Sequence, residues 1–114
     1  MAPRERLAEE RATTLARIEG LVRHVEDIVE SSALTTNDDE HDPEGATVAF
    51  ERAQAQDLLR QARAELAELD EASRRLSEGT YGRCERCGGV IAEGRLAALP
   101  ATRTCIACAG TRRR

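Results

Sequence analysis

The chain has 114 residues, of which a third are charged and only 2% are aromatic. A large globular core is therefore not expected, and the length allows one domain or one domain with an extension. No apolar run approaches the roughly 20 residues that a membrane span requires, so no membrane contact is expected. The charged N-terminus lacks the pattern of a secretory signal, which predicts a cytoplasmic protein.

Charge is distributed unevenly along the chain. Residues 1–81 hold ten arginines and 19 acidic residues, a formal charge of −9. Residues 82–114 hold seven arginines and two acidic residues, a formal charge of +5. An acidic body and a basic end indicate either that the two parts contact different partners or that both are solvated surface.

Two long amphipathic helices are predicted, because apolar residues recur every three or four positions. In residues 5–33 this stripe is Leu7, Leu15, Ile18, Leu21, Val22, Val25, Ile28 and Val29. In residues 45–78 it is Ala55, Leu59, Ala62, Leu66, Leu69, Ser73 and Leu76, a series that follows coiled-coil heptads. We therefore expect a mainly α fold in which residues 1–78 form an antiparallel two-helix coiled-coil hairpin.

The turn of the hairpin is predicted near residues 37–45. Asp42 is expected to cap the second helix, with Pro43 at its first position and Gly79 just after its end. The acidic residues of this turn are Asp38, Asp39, Glu40, Asp42 and Glu44. They are either a solvated loop or carboxylates that approach a cation, such as Mg²⁺, or a basic surface.

The four cysteines form two matched pairs, Cys84 with Cys87 and Cys105 with Cys108, with 17 residues between the pairs. This spacing is typical of a structural site in which four thiolates hold one Zn²⁺. Two disulfides would suit a secreted protein, and a thioredoxin-like centre would need a β-α-β pattern that is absent. A redox-responsive zinc site remains as an alternative. We expect a four-cysteine zinc finger over residues 79–114.

The other residues of the finger have structural interpretations. The four apolar residues Ile91, Leu96, Leu99 and Ile106 are expected to form a small core around the zinc, and Tyr81 to pack on the hairpin end. Three arginines, Arg83, Arg86 and Arg103, are expected to balance the negative metal centre. The sequence ends in three arginines, yet no arginine-rich recognition helix follows the cysteines, so sequence-specific DNA binding is not expected.

The segment from Gly79 to Ile91, with Tyr81, Gly82 and the first cysteine pair, resembles the zinc finger of the DksA/TraR family. The likeness continues through the Arg95-Leu96 dipeptide and Pro100 to the second cysteine pair. It is specific over residues 79–108. A preceding helical hairpin with an acidic tip agrees more loosely with the longer family members.

This resemblance implies a bacterial, cytoplasmic transcription regulator that binds RNA polymerase rather than DNA. The coiled coil would enter the secondary channel of the polymerase and bring Asp39 and Asp42 towards the catalytic region. Several family members act with ppGpp, which makes this nucleotide a candidate effector.

The tip departs from the family pattern Asp-x-x-Asp-x-Ala, because Glu44 stands where alanine is expected after Asp39 and Asp42. The alternative alignment starts the motif at Asp42, puts Gly45 at the second aspartate position and leaves Ala46 one residue before the alanine position. A zinc-containing, redox-responsive adaptor that does not act on polymerase is the second hypothesis. An enzyme is not expected, because neither a nucleophile–base pair nor a phosphate-binding glycine loop is visible.

Overall fold

The computed structural model describes residues 1–34 and 43–110, with side chains described for residues 1–31 and 45–110. Four helices account for most of this part of the chain: α1 (Pro3–Leu34), α2 (Pro43–Glu78), α3 (Glu93–Ala98) and α4 (Ile106–Ala109). The described residues contain no strand, and their one isolated β-bridge joins Arg83 and Val90. The fold is mainly α, as the periodicity predicted. No helix in the described ranges is long and apolar enough to cross a membrane.

The chain divides into two compact units. The finger unit combines residues 1–13 with the chain from Leu66 onward, and the stem unit is residues 14–65. The long helices α1 and α2 each contribute to both units. The finger unit therefore contains the beginning of α1, the end of α2 and the cysteine-bearing segment. The domain boundary expected after residue 78 stays a prediction.

The stem unit is held together by the predicted apolar stripes. Ile28, Ala55 and Ala62 are buried, and the ion pair between Arg17 and Glu65, at 2.9 Å, joins the two helices. Thr14 is 1% exposed although it lies outside the predicted stripe. It stands one heptad after Leu7 and two heptads before Ile28, so the buried seam of α1 keeps a seven-residue spacing.

The finger unit has its own core at the helix ends. Leu7 packs against Leu69 and Ala72, and Leu76, Tyr81 and Ala101 pack around this cluster. Arg11 of α1 pairs with Asp70 of α2 at 2.7 Å, again across antiparallel helices. The predicted antiparallel hairpin and the packing of Tyr81 on its end are confirmed.

Two residues of the predicted stripes lie outside the seam. Ser73 is exposed while its neighbour Ala72 is fully buried, because after Leu69 the helix turns Ala72 towards Leu7. A strict four-three alternation placed Ser73 there, but a small apolar side chain fits this contact and leaves no hydroxyl to satisfy. Val29 is 44% exposed, since Ile28 takes the buried position beside it.

The ends of α2 lie where the sequence signals placed them. The helix begins at Pro43 and ends at Glu78. Gly79 has a φ of 83°, and the N–H groups of Gly79 and Thr80 donate to the carbonyls of Leu76 and Arg75. These two bonds are a Schellman motif, which needs a positive φ and therefore favours glycine. The motif turns the chain out of the helix and directly into the cysteine segment.

Candidate metal centre

The first cysteine pair lies on a tight turn closed by backbone hydrogen bonds. The N–H of Gly88 donates to the carbonyl of Cys84 at 2.8 Å, and the N–H of Cys84 donates to the carbonyl of Gly89 at 2.8 Å. Gly88 has a φ of 76°, as expected for the residue that follows such a pair. The N–H of Gly89 points at Cys87 Sγ, 3.4 Å away. The turn thus presents both sulfurs on one side.

The second cysteine pair is arranged by a short helix. Cys105 is the residue before α4, and Cys108 lies within that helix. The N–H of Ala109 donates to the carbonyl of Cys105 at 2.9 Å, which closes the turn. Two residues between the cysteines therefore bring both sulfurs to the same side of one helical turn.

The four sulfurs converge on a single point. Their Sγ atoms all lie within 4.8 Å of one another, and Cys87 Sγ lies 3.9 Å from Cys105 Sγ. A tetrahedral Zn²⁺ with bonds of about 2.3 Å places its sulfurs about 3.8 Å apart. All four cysteines are free thiols, so the arrangement is not a pair of disulfides. The four cysteines are positioned to bind one metal ion, and the thiolate donor set fits zinc.

Electrostatics explain why this cluster suits a divalent cation. Backbone N–H groups at Cys105 and Cys87 lower the pKa of the Cys84 thiol to about 6. The neighbouring sulfurs of Cys105 and Cys84 raise the pKa of Cys108 to about 12. The backbone N–H group of Cys108 also lowers the pKa of the Cys105 thiol. The cluster thus resists its last deprotonation, because like charges accumulate in a small volume. A bound Zn²⁺ would supply the positive charge that lets four thiolates coexist.

The apolar floor of the metal centre is smaller than predicted. Cys84, Ile91 and Leu96 form the buried cluster, with Tyr81 packed against it. Leu99 is 51% exposed and Ile106 is 77% exposed, so both expectations for these residues were wrong. Leu96 faces inward from α3, whereas Leu99 follows the last residue of that helix with a more extended backbone. Ile106 is the first residue of α4, and Cys108 lies on the side of that helix that faces the metal site.

The segment before the second cysteine pair is held by side chains from elsewhere in the finger unit. We call residues 100–104 the bracing loop. Tyr81 Oη donates to the carbonyl of Pro100 at 2.8 Å, and Arg95 Nε donates to the carbonyl of Thr104 at 2.9 Å. The guanidinium of Arg75 lies 3.5 Å from the carbonyl of Thr102. Loop carbonyls that would otherwise need water are thereby paired within the protein.

The three arginines near the cysteines have different surroundings. Arg83 is exposed, and Arg86 donates to the carbonyl of Cys108 at 3.4 Å. Arg103 instead binds Glu68 of α2, and this carboxylate raises the pKa of its guanidinium. Arg103 therefore has a structural partner on α2, a contact that sequence reasoning missed because the partner lies 35 residues away. The expected charge balance at the metal stays a prediction.

The predicted tip lies outside the described residues. This applies to Asp38, Asp39, Glu40 and Asp42, and to the side chain of Glu44. The role of these carboxylates stays a prediction.

Comparison with known proteins agrees with this architecture. Residues 79–114 match the family described as the prokaryotic dksA/traR C4-type zinc finger. The fold is similar to that of transcription factor DksA2 from Pseudomonas aeruginosa, with a TM-score of 0.79 and 29% sequence identity over 94% of this chain and 77% of that chain. The DksA/TraR resemblance that the cysteine segment indicated is confirmed.

A shorter match is to an uncharacterized protein of Aquifex aeolicus (strain VF5), 54% identical over 46 residues. This match covers 40% of the chain and 32% of that relative, so the chain spans about a third of the relative's length.

Proposed function

We propose that this protein is a DksA/TraR-like transcription regulator that binds RNA polymerase through the secondary channel of the enzyme. The observation that carries the proposal is the likeness to transcription factor DksA2, which extends over 94% of the chain and so includes both long helices as well as the zinc finger. A likeness confined to the finger would support only a metal-binding module.

The zinc finger has a structural role in this proposal. The thiolates close the metal shell, so that no open coordination position remains for substrate chemistry. In the finger unit, Tyr81 contacts both the helix-end cluster around Leu7 and the cluster around Cys84. The metal centre would thereby fix the ends of α1 and α2. The proposal is of a cytoplasmic regulator rather than an enzyme.

The acidic tip is the proposed contact with the polymerase catalytic region. Asp39 and Asp42 supply carboxylates, which suit Mg²⁺ or a basic protein surface. Glu44 adds a further negative charge where the family pattern has alanine. We expect this charge to alter the regulatory outcome more than binding itself.

The decisive experiment measures binding to purified RNA polymerase and run-off transcription with the wild type and with Asp39→Asn/Asp42→Asn. Binding should persist in the double variant, while the effect on transcription should be lost. Glu9→Gln/Glu10→Gln is the matched control, because it removes two exposed carboxylates of α1 that lie far from the tip in sequence. If the wild type does not bind polymerase, the proposal is wrong. If both double variants lose activity equally, the tip has no special role. The same assay with and without ppGpp tests this nucleotide as an effector.

The alternative function, a zinc-containing redox-responsive adaptor, is favoured by one observation: Cys87 is exposed at the surface of the cysteine cluster. An adaptor of this kind should release zinc at micromolar hydrogen peroxide and should not bind polymerase. Retention of zinc under these conditions would remove this alternative.

A further inference from the structure

Arg103 connects the metal centre to α2. It stands two residues before Cys105, and its Nε and Nη2 atoms donate to the two carboxylate oxygens of Glu68 at 2.8 Å and 3.2 Å. Such a bidentate pair fixes the direction of the guanidinium as well as its distance. A side chain two residues before the second cysteine pair is thus attached to α2.

Arg103 also reaches the first cysteine pair. Its carbonyl accepts a hydrogen bond from the N–H of Glu85 at 2.9 Å, and its Nη1 lies 3.6 Å from Glu85 Oε2. Glu85 lies between Cys84 and Cys87 in the first turn. Arg103 therefore contacts the first cysteine turn and α2, and it lies two residues before the second cysteine turn.

We propose that the Arg103–Glu68 ion pair is a positioning element of the metal centre. The pair holds both cysteine turns in the arrangement that binds zinc. It also couples zinc affinity to the stability of the adjoining end of α2. Neither residue is a metal ligand. The ion pair acts by ordering the two cysteine turns before zinc binds. When the turns are already aligned, the four ligands lose less conformational entropy on binding, and zinc affinity is higher. By thermodynamic reciprocity, bound zinc stabilises the Arg103–Glu68 contact to the same extent.

The solvent exposure of the two side chains limits how much the ion pair can contribute to zinc affinity. The side chains of Arg103 and Glu68 are 36% and 51% exposed, so solvent screens much of their attraction. Loss of the pair should weaken zinc binding about fivefold, near the upper range for an exposed pair with good geometry. Glu71, which lies three residues after Glu68, accepts a hydrogen bond from Arg74 at 2.8 Å.

A simple charge effect makes the opposite prediction for one variant. A tetrathiolate zinc centre carries about −2, so removal of a nearby positive charge weakens it and removal of a negative charge strengthens it. Charge alone predicts that Glu68→Gln leaves zinc affinity unchanged or raises it. The positioning role predicts that Glu68→Gln lowers zinc affinity, as Arg103→Gln does.

The test is competition for Zn²⁺ between the full chain and a chromophoric chelator under reducing conditions. Arg103→Gln and Glu68→Gln should each raise the zinc dissociation constant about fivefold, and the two together should raise it no further. The exchanged pair Arg103→Glu/Glu68→Arg should recover most of the loss. Arg83→Gln is the matched control, since Arg83 is exposed and precedes Cys84 directly, and should change the constant less than twofold.

A second readout separates positioning from general damage. Far-UV circular dichroism should show unchanged helix content at 25 °C, while the rise in unfolding temperature on adding zinc should be smaller in Arg103→Gln and Glu68→Gln than in the wild type. The proposal is overturned if Glu68→Gln binds zinc as tightly as the wild type, or if Arg83→Gln weakens binding as much as Arg103→Gln.

Discussion

The stem unit and the finger unit are stabilised in different ways. In the stem unit, the buried residues are small or aliphatic, apart from Thr14, and they are spaced along two helices. In the finger unit, a few residues with specific partners determine the structure, such as Tyr81 on Pro100 and Arg103 on Glu68. A repeated seam tolerates the loss of one contact, whereas a small core with few apolar residues depends on each of its fixed points.

The largest expected effect is the loss of the metal site. Cys84→Ser removes a buried ligand and should abolish zinc binding and unfold residues 80–108, because metal binding and folding are coupled in such modules. The stem unit should remain helical, which would sharpen the contrast between the two units. Elemental analysis and hydrogen exchange measure the two effects. Full zinc stoichiometry in this variant would contradict the four-cysteine site.

Leu7→Ala should have the next largest effect. Leu7 is 2% exposed and packs against Leu69 and Ala72, so truncation leaves a cavity in the finger unit and should lower the free energy of unfolding by about 3 kcal/mol. Val29→Ala, at a 44% exposed position of the same helix, should cost less than about 1 kcal/mol. Chemical denaturation monitored by circular dichroism measures both. Equal costs would mean that Leu7 is not a core residue in solution.

Tyr81→Phe tests the hydrogen bond that holds the start of the bracing loop. The substitution keeps the ring between its two apolar clusters but removes the hydrogen bond to the carbonyl of Pro100. The free energy of unfolding should fall by about 1 kcal/mol, since the carbonyl loses its protein partner. Exchange of backbone amides in residues 101–104 should accelerate, while exchange in residues 14–31 should not. Uniform acceleration throughout the chain would argue against a local role.

The same tyrosine predicts a pH dependence confined to the finger unit. Burial raises the pKa of the Tyr81 hydroxyl above its usual value near 10, even though Arg6 lowers it in part. A raised pKa in the folded state means that the stabilisation is complete below the unfolded pKa and is lost as pH rises through the folded value. Stability should therefore fall above about pH 10 in the wild type and less so in Tyr81→Phe. Absorbance at 295 nm follows the titration, and a pKa at or below 10 would contradict burial.

The smallest effects should come from the two ion pairs between the long helices. Arg11–Asp70 lies in the finger unit and Arg17–Glu65 in the stem unit, with all four side chains about half exposed. Asp70→Asn and Glu65→Gln should each lower the free energy of unfolding by about 0.5 kcal/mol or less, and 1 M salt should remove the difference. A cost above about 2 kcal/mol in either unit would show that these pairs do more than align the helices.

Much of the architecture could be predicted from local signals. Pro43 and Gly79 marked the limits of α2, because proline suits the first helical turn and glycine suits the positive φ after the last. The cysteine spacing indicated the metal site, since two intervening residues are enough to align two sulfurs. The tip carboxylates, such as Asp39, lie outside the described residues and remain predicted from the sequence alone.

The errors occurred where a residue's neighbours along the chain do not decide its surroundings. Ser73 and Ala72 are adjacent on one helix, and only the position of Leu7 on the other helix determined which one is buried. Leu99 and Ile106 are apolar, but each lies at the end of a short helix, where the orientation of the side chain depends on how the helix is held.

The amino-acid sequence alone thus determined the two long helices, their limits and the set of four thiolates, because these depend on periodicity, on backbone preferences and on ligand spacing over a few residues. Only the tertiary structure decided that Arg103 binds Glu68 and that Tyr81 joins two clusters. Such contacts connect residues far apart in the chain, and their energies depend on distances that exist only after the helices and the cysteine turns have packed.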